Sequence, residues 1–322
     1  MRTLIRALLL IAGIGCAAVA IAQAYPSRPV KFVVPFPPGG NLDFIARTIQ
    51  PKLSEFLGAT IVIDNRGGAA GIIGAEYAAR QPPDGYTLFL GNTGTMALYP
   101  VVYPKLPYDA LKDFSAVGLI AWSTQLLAAH PSVPAKSLAE FIAFARKHPG
   151  KLTMAVAGLG SSPHFSAEML KMRAGIDLLL VPYKGSGPAV MDLIGGQVDL
   201  IVDAASVSMP YVKAGRLRAI AVTGNKRLTA LPQVQTFEEA GLKGFESGGW
   251  QGLLVPSGTP AAAVAKLSGA LVKTLAQPEV RERFLEQGLE PAPSTPEQFG
   301  AHIRSEIEKW GRVAKAANFK VD

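Results

Sequence analysis

Along the chain, short runs of consecutive apolar residues alternate with longer stretches in which apolar positions recur every three to four residues, and glycine, proline and serine mark the joins. The runs read as buried strands and the stretches as helices with one apolar face. The first unit sets the pattern: Val30–Val34 is a buried strand, Pro35-Phe36-Pro37-Pro38-Gly39-Gly40 is a rigid turn, and a helix starts at Asn41, a residue type suited to an N-cap. Phe44, Ile45, Ile49, Leu53, Phe56 and Leu57 keep helical spacing until Gly58 closes it, and Pro51 within the pattern predicts a kink. Strands at Thr60–Ile63 and Tyr86–Leu90 follow, separated by the turn 65–71, a short helix ending near Arg80 and the turn Pro82-Pro83-Asp84-Gly85.

The passage Phe114–Ala129, with Trp122 inside it, is long for one strand and reads as a crossover between domains. The alternation then restarts. Helices Leu138–Lys147, Phe165–Met172 and Met209–Ala214, and one ending at Gly195-Gly196, separate strands Leu152–Ala157, Leu178–Val181, Val198–Val202 and Leu217–Val222. Phe245–Val255, carrying Trp250, reads as the return crossover, and Ala261–Leu275, Glu279–Gln287 and Pro296–Ala317 read as three closing helices. Strand–helix alternation predicts an α/β protein with parallel layers, and 322 residues suffice for two such lobes with separate cores. Residues 25–120 with 248–322 are expected to form a discontinuous first lobe, and 121–247 the second.

Small, polar loops recur at strand C-termini, the edge where open α/β sheets bind ligands. In the first, two prolines fix the shape, Gly39 and Gly40 let a ligand approach the backbone, and the free N–H groups of the helix starting at Asn41 point the same way. Such a loop reads as a mouth for an anion. Gly158-Leu159-Gly160-Ser161-Ser162-Pro163-His164 repeats the device after another strand, so that two mouths could face each other across a cleft, and Gly91-Asn92-Thr93-Gly94-Thr95 is a third loop of the kind. Ser161 and Ser162 read as helix caps or as ligand donors, and His164 as a ligand contact or a loop anchor. Asp203, expected to open a loop after an apolar strand, reads as a helix cap or as an acceptor for a ligand donor.

The N-terminus belongs to neither lobe. Arg2 and Arg6 precede an apolar run, Leu8 to Ile21, that ends in Ala22-Gln23-Ala24, which predicts a secretory leader cleaved after Ala24, residues 1–24, and an exported mature chain. The single cysteine, Cys16, lies in that leader, so no disulfide is expected. Removing the two arginines takes the formal charge from +8 to +6, and no Lys/Arg run points to nucleic acid. No catalytic residue is set in a recognisable frame: Gly-x-Ser-x-Gly, His-Glu-x-x-His and Walker loops are absent. The four histidines are scattered, so neither a metal site nor a cofactor is expected.

Seven blocks in one order resemble the Bug family, the periplasmic solute receptors of tripartite tricarboxylate transporters. They are Pro35–Gly40 with Asp43; Asn65-Arg66 and its glycines; Pro83–Leu88; Gly160-Ser161 with His164; Val181–Gly185; Gly196–Asp199; and Pro256–Pro260. The resemblance implies a type II periplasmic binding protein fold, two lobes joined by crossover strands and closing on one small carboxylated solute. It also implies a first ligand-binding set of Phe36, Pro38, Gly39, Gly40, Asn41 and Asp43 with Asn92 and Thr95, gripping the carboxylate largely through backbone. The implied second set, which selects the solute, is Gly158, Gly160, Ser161, His164 and Asp203. The chain departs from the family pattern at Asn41, where serine or threonine is more frequent, and at Gly67-Gly68-Ala69-Ala70, where a proline is common. The partners implied are the transporter's membrane subunits, with a sensor kinase as a further candidate. The rival classes are a periplasmic hydrolase or isomerase, for which only His164 with Asp203 offers an acid/base pair, and a ligand-sensing adaptor. Dicarboxylates, tricarboxylates, acidic amino acids and aromatic or nicotinate-like acids all stay open as the solute.

Overall fold

The computed structural model describes residues 25–316 apart from 225, 244, 246 and the side chain of 313. The predicted leader with its cleavage site and Cys16, and the residues beyond 316, lie outside the described residues. In chain order the elements of the first half are β1 (Val30–Val34), α1 (Asn41–Leu57), β2 (Ile61–Asn65), α2 (Ile72–Ala79), β3 (Thr87–Asn92) and β4 (Phe114–Ser123). A π-helical turn Gly94–Leu98 and one α-helical turn Tyr99–Val102 lie between β3 and β4. Then come β5 (Gln125–Ala129), α3 (Leu138–Lys147), β6 (Thr153–Ala157), α4 (Ser162–Ala174), β7 (Leu179–Tyr183), α5 (Ser186–Ile194), β8 (Leu200–Ala204), α6 (Ala205–Lys213) and β9 (Arg218–Val222). The chain closes with β10 (Gly249–Pro256), α7 (Ala261–Leu275), α8 (Pro278–Leu285), β11 (Leu289–Pro291) and α9 (Pro296–Ala316).

Among the described residues the strands form two sheets, ordered β11-β4-β10-β3-β1-β2 and β7-β6-β8-β5-β9. Both are mixed, which corrects the expectation of parallel layers: β10 runs antiparallel to β3 and β4, and β5 antiparallel to β8 and β9. The passages read as crossovers supply the reversed strands. The first splits at Thr124, leaving the first sheet as β4 and entering the second as β5, and β10 brings the chain back. Hydropathy alternation carries no information about strand direction, so only the pairing could reveal this. β11, three residues long, was too short to be visible as a strand.

Period-two alternation divides each strand between two cores. Val30, Phe32 and Val34 of β1 face one apolar cluster with α1, α7 and α8, whereas Val33 faces another shared with Tyr99 and with Phe299 and Trp310 of α9. The C-terminal helices therefore cover both faces of the first sheet. α1 passes through Pro51 as one helix, with Ile45, Ile49, Leu53 and Leu57 buried. The second sheet has its own pair of clusters, one built around Phe141 and Phe237, the other around Leu126, Ile201 and Met209.

The C-terminal ends of β1, β3, β6 and β8 empty toward one cleft, and the lobes meet across it. Ser206 Oγ of the second lobe donates to Asn41 Oδ1 of the first at 2.6 Å, and Tyr103 Oη donates to Leu159 O at 3.1 Å. A Cβ on Gly158 would lie 3.0 Å from Ala70 Cβ, and one on Gly187 would lie 2.8 Å from Pro38 O. The lobes are closed on one another at these points, with glycine where backbones come nearest.

Candidate functional site

Between the lobes lies a cavity of about 60 Å³ whose wall is made by the starts of four helices. Gly40, Asn41 and Leu42 come from α1, Ser161, Ser162 and Pro163 from α4, Ser186 from α5, and Ala204 from the turn into α6. The first N–H groups of a helix have no intrahelical partner, and the aligned peptide dipoles put partial positive charge there. Among the described residues the wall contains no lysine, arginine or histidine, and Asp203 is its one ionisable side chain. Phe36, Trp250, the strand ends Asn92 and Ala157, and neutral polar residues that include Ser123, Gln125 and Gln251 line the rest. Such an arrangement can hold an anion through the backbone N–H groups of the helix starts.

Of the residues expected from sequence, Phe36, Gly40, Asn41, Asn92, Ser161 and Asp203 stand in this wall. Pro38, Gly39, Asp43, Thr95, Gly158, Gly160 and His164 stand outside it and shape the loops behind it. Asp43 accepts from Gly39 N (3.0 Å), Arg47 Nε (2.9 Å) and Asn65 Nδ2 (3.1 Å), so the Gly39 N–H is already engaged. Burial alone would raise the Asp43 pKa, but the hydrogen bonds from Arg47, Gly39 and Asn65 and the Arg47 charge hold it below the usual carboxylate range. Pro38 and Gly39 are exposed on the outer turn, where Gly39 takes φ of 83°. Thr95 is fully buried, its N–H and hydroxyl both bonded to Asn92 Oδ1.

His164 is a loop anchor. Its Nδ1 accepts from Gly160 N at 2.9 Å, which engages that backbone donor as well, and burial lowers its pKa despite Glu168 nearby. Ser161 caps α4, accepting from His164 N and donating to Gly158 O at 2.7 Å. Gly158 and Gly160 supply the positive φ angles of this turn, 95° and 71°.

Asn41 departs from its expected N-cap role. The cap position is Gly40, with φ of −92° and no side-chain cap, and Asn41 is the first helical residue. Its amide instead spans the hinge and the far lobe, donating to Ser123 Oγ at 3.4 Å and accepting from Ser206. The φ of Gly40 is open to any residue, and an added Cβ would make only ordinary contact, 3.5 Å from Ser186 Cβ on the opposite lobe, so it is a larger, branched side chain that would crowd the cleft here.

Asp203 lies on β8, inside the strand and not in a loop, paired in register with Leu126. It is 3% exposed. Its Oδ1 accepts from Ala204 N at 2.7 Å, whereas Oδ2, also buried, has no hydrogen-bond partner among the described residues. Burial pushes the carboxyl up to about 6, opposed only by Ser186 and the Ala204 N–H. Asp203 therefore caps no helix.

The profile of the family described as the tripartite tricarboxylate transporter family receptor matches residues 45–319. The chain belongs to that family. The protein BugT of Bordetella pertussis is 35% identical over 312 residues, covering 97% of this chain and 96% of its own. A Rhodopseudomonas palustris protein solved with adipate superposes with a TM-score of 0.89 at 39% identity, covering 92% of this chain and 99% of its own. MatC of the same organism, solved with bound malate, superposes with a TM-score of 0.84 at 37% identity, covering 90% of this chain and 99% of its own. The two-lobed type II binding-protein fold is thus shared with solved relatives along nearly the whole chain. Among the described residues no helix is long and apolar enough to cross a membrane.

Several wall residues of this receptor carried no local signal. Gln125 sits on the strand that enters the second sheet, where its Nε2 donates to Ser162 Oγ at 2.9 Å and its Oε1 accepts from Ser247 and Ser166. Trp250 donates its backbone N–H to Thr93 Oγ1 at 2.9 Å and its indole N–H to Glu306 Oε2 at 3.3 Å. Ser123 and Gln251 face each other at 2.9 Å on β4 and β10. All lie on or beside the crossing strands, whose apolar character hides single polar residues. Ser186, directly after Gly185, was the one with a readable cue: another glycine-to-helix junction.

Proposed function

We propose that this chain is the periplasmic receptor that captures a small organic carboxylate for a tripartite tricarboxylate transporter, holding it through the helix starts of α1, α4, α5 and α6. The observation that carries this reading is the convergence of four helix N-termini on a cavity whose described wall has no cationic side chain. Relatives solved with adipate and malate favour the same ligand class. The ligand-binding residues are Phe36, Gly40, Asn41, Asn92, Ser161 and Asp203, with Ser162 and Ser186 added. Pro38, Gly39, Asp43, Thr95, Gly158, Gly160 and His164 hold the loops that present them. The leader is cleaved after Ala24, the receptor docks on the transporter's membrane subunits, and a sensor kinase is an alternative partner. A catalytic role for His164 with Asp203 is disfavoured, because His164 stands outside the wall with Nδ1 bonded to Gly160 N.

Calorimetric titration with a panel of carboxylic acids tests the reading. The protein should bind one class of short acids and return it chemically unchanged. Gly40→Val should weaken every bound acid by at least about fiftyfold, because a branched side chain would press on Ser186 across the closed cleft. Unchanged affinity in that variant, or turnover of the acid, would exclude the proposal.

A further inference from the structure

Asp203 is a buried carboxylate in the wall of a cavity built for a carboxylate, and nothing in the described wall carries a compensating positive charge. We infer that the cavity closes on a small acid only together with one hydrogen aimed at Asp203 Oδ2, supplied by a hydroxyl, amide or ammonium group of the ligand or, for a plain dicarboxylate, by a proton taken from solvent and shared between the two carboxyl groups. The inference rests on the carboxylate-receptor reading and names the chemistry of the ligand's second end.

Three observations support it. Oδ2 is buried and unpartnered among the described residues, whereas Oδ1 is satisfied by Ala204 N at 2.7 Å. A buried, unsatisfied carboxylate oxygen is costly, and a donor arriving with the ligand removes that cost. The cavity is small, about 60 Å³, and Asp203 stands in its wall, so a second ligand carboxylate reaching this side lies close to Asp203 with little room for water between them. Two carboxylates in such proximity cannot both stay ionised, and one must hold a proton.

The elements packed against Asp203 bring no other charge to it. β5 and β6 carry no ionisable side chain. Asp192 of α5 accepts from Tyr183 Oη at 2.7 Å, and Lys213, at the far end of α6, reaches Glu286 O at 3.4 Å. His164 of α4 is bonded to Gly160 N and lies 3.9 Å from Glu168, while Asp43 of α1 is paired with Arg47. Burial raises the Asp203 carboxyl to about 6, which places its proton within reach of ordinary conditions.

The test is calorimetry of the full mature chain with succinate and adipate, each beside its half-amide, from pH 5.5 to 8.5 in buffers of different ionisation enthalpy. The dicarboxylates should bind with uptake approaching one proton per ligand near pH 7.5, and their affinity should fall by close to tenfold per pH unit above pH 7. The half-amides, which bring their own N–H, should bind from pH 7 to 8.5 with little pH dependence and little proton uptake. Asp203→Asn should abolish the uptake and flatten the dicarboxylate profile. Dicarboxylate binding without uptake and without pH dependence would overturn the inference and leave the carboxylate reading standing, and this arm needs no variant. A pH slope that persists in Asp203→Asn would also overturn it. If none of the four probes binds, the acid that the panel identifies and its analogue with one carboxyl group amidated take their place with the same two overturning outcomes; if no acid of the panel binds at any pH in the range, the carboxylate reading fails and takes this inference with it.

Discussion

Asp43 and Asp203 stand at the two sides of the same cleft and have similar exposure, 4% and 3%, but Asp203 lies deeper, and their surroundings drive them in opposite directions. Around Asp43, burial is outweighed by three hydrogen bonds and the Arg47 charge, and the group stays ionised. Around Asp203, burial meets only Ser186 and one backbone N–H, and the pKa climbs to about 6. The difference separates two jobs. Asp43 fastens the β1–α1 loop so that the helix start is presented rigidly, and it does so with every oxygen engaged. Asp203, in the cavity wall, keeps one buried oxygen without a hydrogen-bond partner among the described residues, which suits a group whose partner arrives with the ligand. Low exposure alone does not tell a fastener from a recogniser; depth of burial together with the inventory of partners does.

The comparison breaks first at Asp43. Asp43→Ala removes the acceptor shared by Gly39, Arg47 and Asn65, and should destabilise the protein by about 3 kcal/mol, near the low end for a buried pair because Arg47 is half exposed. Urea unfolding at pH 7 measures this. Because the folded-state pKa is lowered, the stabilisation is full above the unfolded value near 3.9 and disappears as pH falls through the folded value, so parent and variant should converge in acid. A loss below about 1 kcal/mol would make the Asp43 contacts ornamental and remove the contrast.

Asp203 should behave in the reverse sense, with a slightly smaller effect. Its folded-state pKa is raised from 3.8 to about 6, so the folded protein holds the extra proton and ligand-free stability falls as pH rises through that window. Asp203→Asn should therefore be more stable than the parent by about 2–3 kcal/mol at pH 8 and equal to it near pH 4. Thermal unfolding across pH 4–8 without ligand tests this; a difference that does not change with pH would contradict the picture of an uncompensated carboxylate.

A smaller effect sharpens the contrast between the lobes themselves. Gly187 stands outside the cavity wall, yet a Cβ there would approach Pro38 O to 2.8 Å. Gly187→Ala should weaken binding of every acid by about tenfold, or about 1.4 kcal/mol, by opposing closure. Unfolding of the ligand-free protein should hardly change, and small-angle scattering with saturating ligand should show a larger radius of gyration than the parent. Unaltered affinity would mean that the lobes do not need this approach in order to hold a ligand.

What was legible in the sequence follows local physics. Apolar periodicity located most of the strands and helices, because burying a strand face or a helix stripe leaves a period of two or three to four wherever it occurs. Glycine and serine at strand ends marked the loops at 36–43, 91–95 and 158–164, since tight turns and helix starts demand those residue types. The family resemblance added the binding-protein architecture. Strand direction was not legible, because β5 and β10 have the same apolar composition whichever way they run.

Within the site, the sequence determined which loops reach the cleft, and the tertiary structure decided which atoms in them are available. Gly39 and Gly160 look like anion donors in isolation, but Asp43 and His164, each four residues further on, fold back and engage them. Asn41 looks like a cap, yet the closed lobes bring Ser123 and Ser206 to its amide. The lone Oδ2 of Asp203 is a product of packing: β5, α5 and α6 surround β8, and neither the Ala204 N–H nor the nearby Ser186 hydroxyl of α5 makes a hydrogen bond to that oxygen. Residue type and spacing set what a side chain can do; long-range packing sets which of its atoms are left to do it.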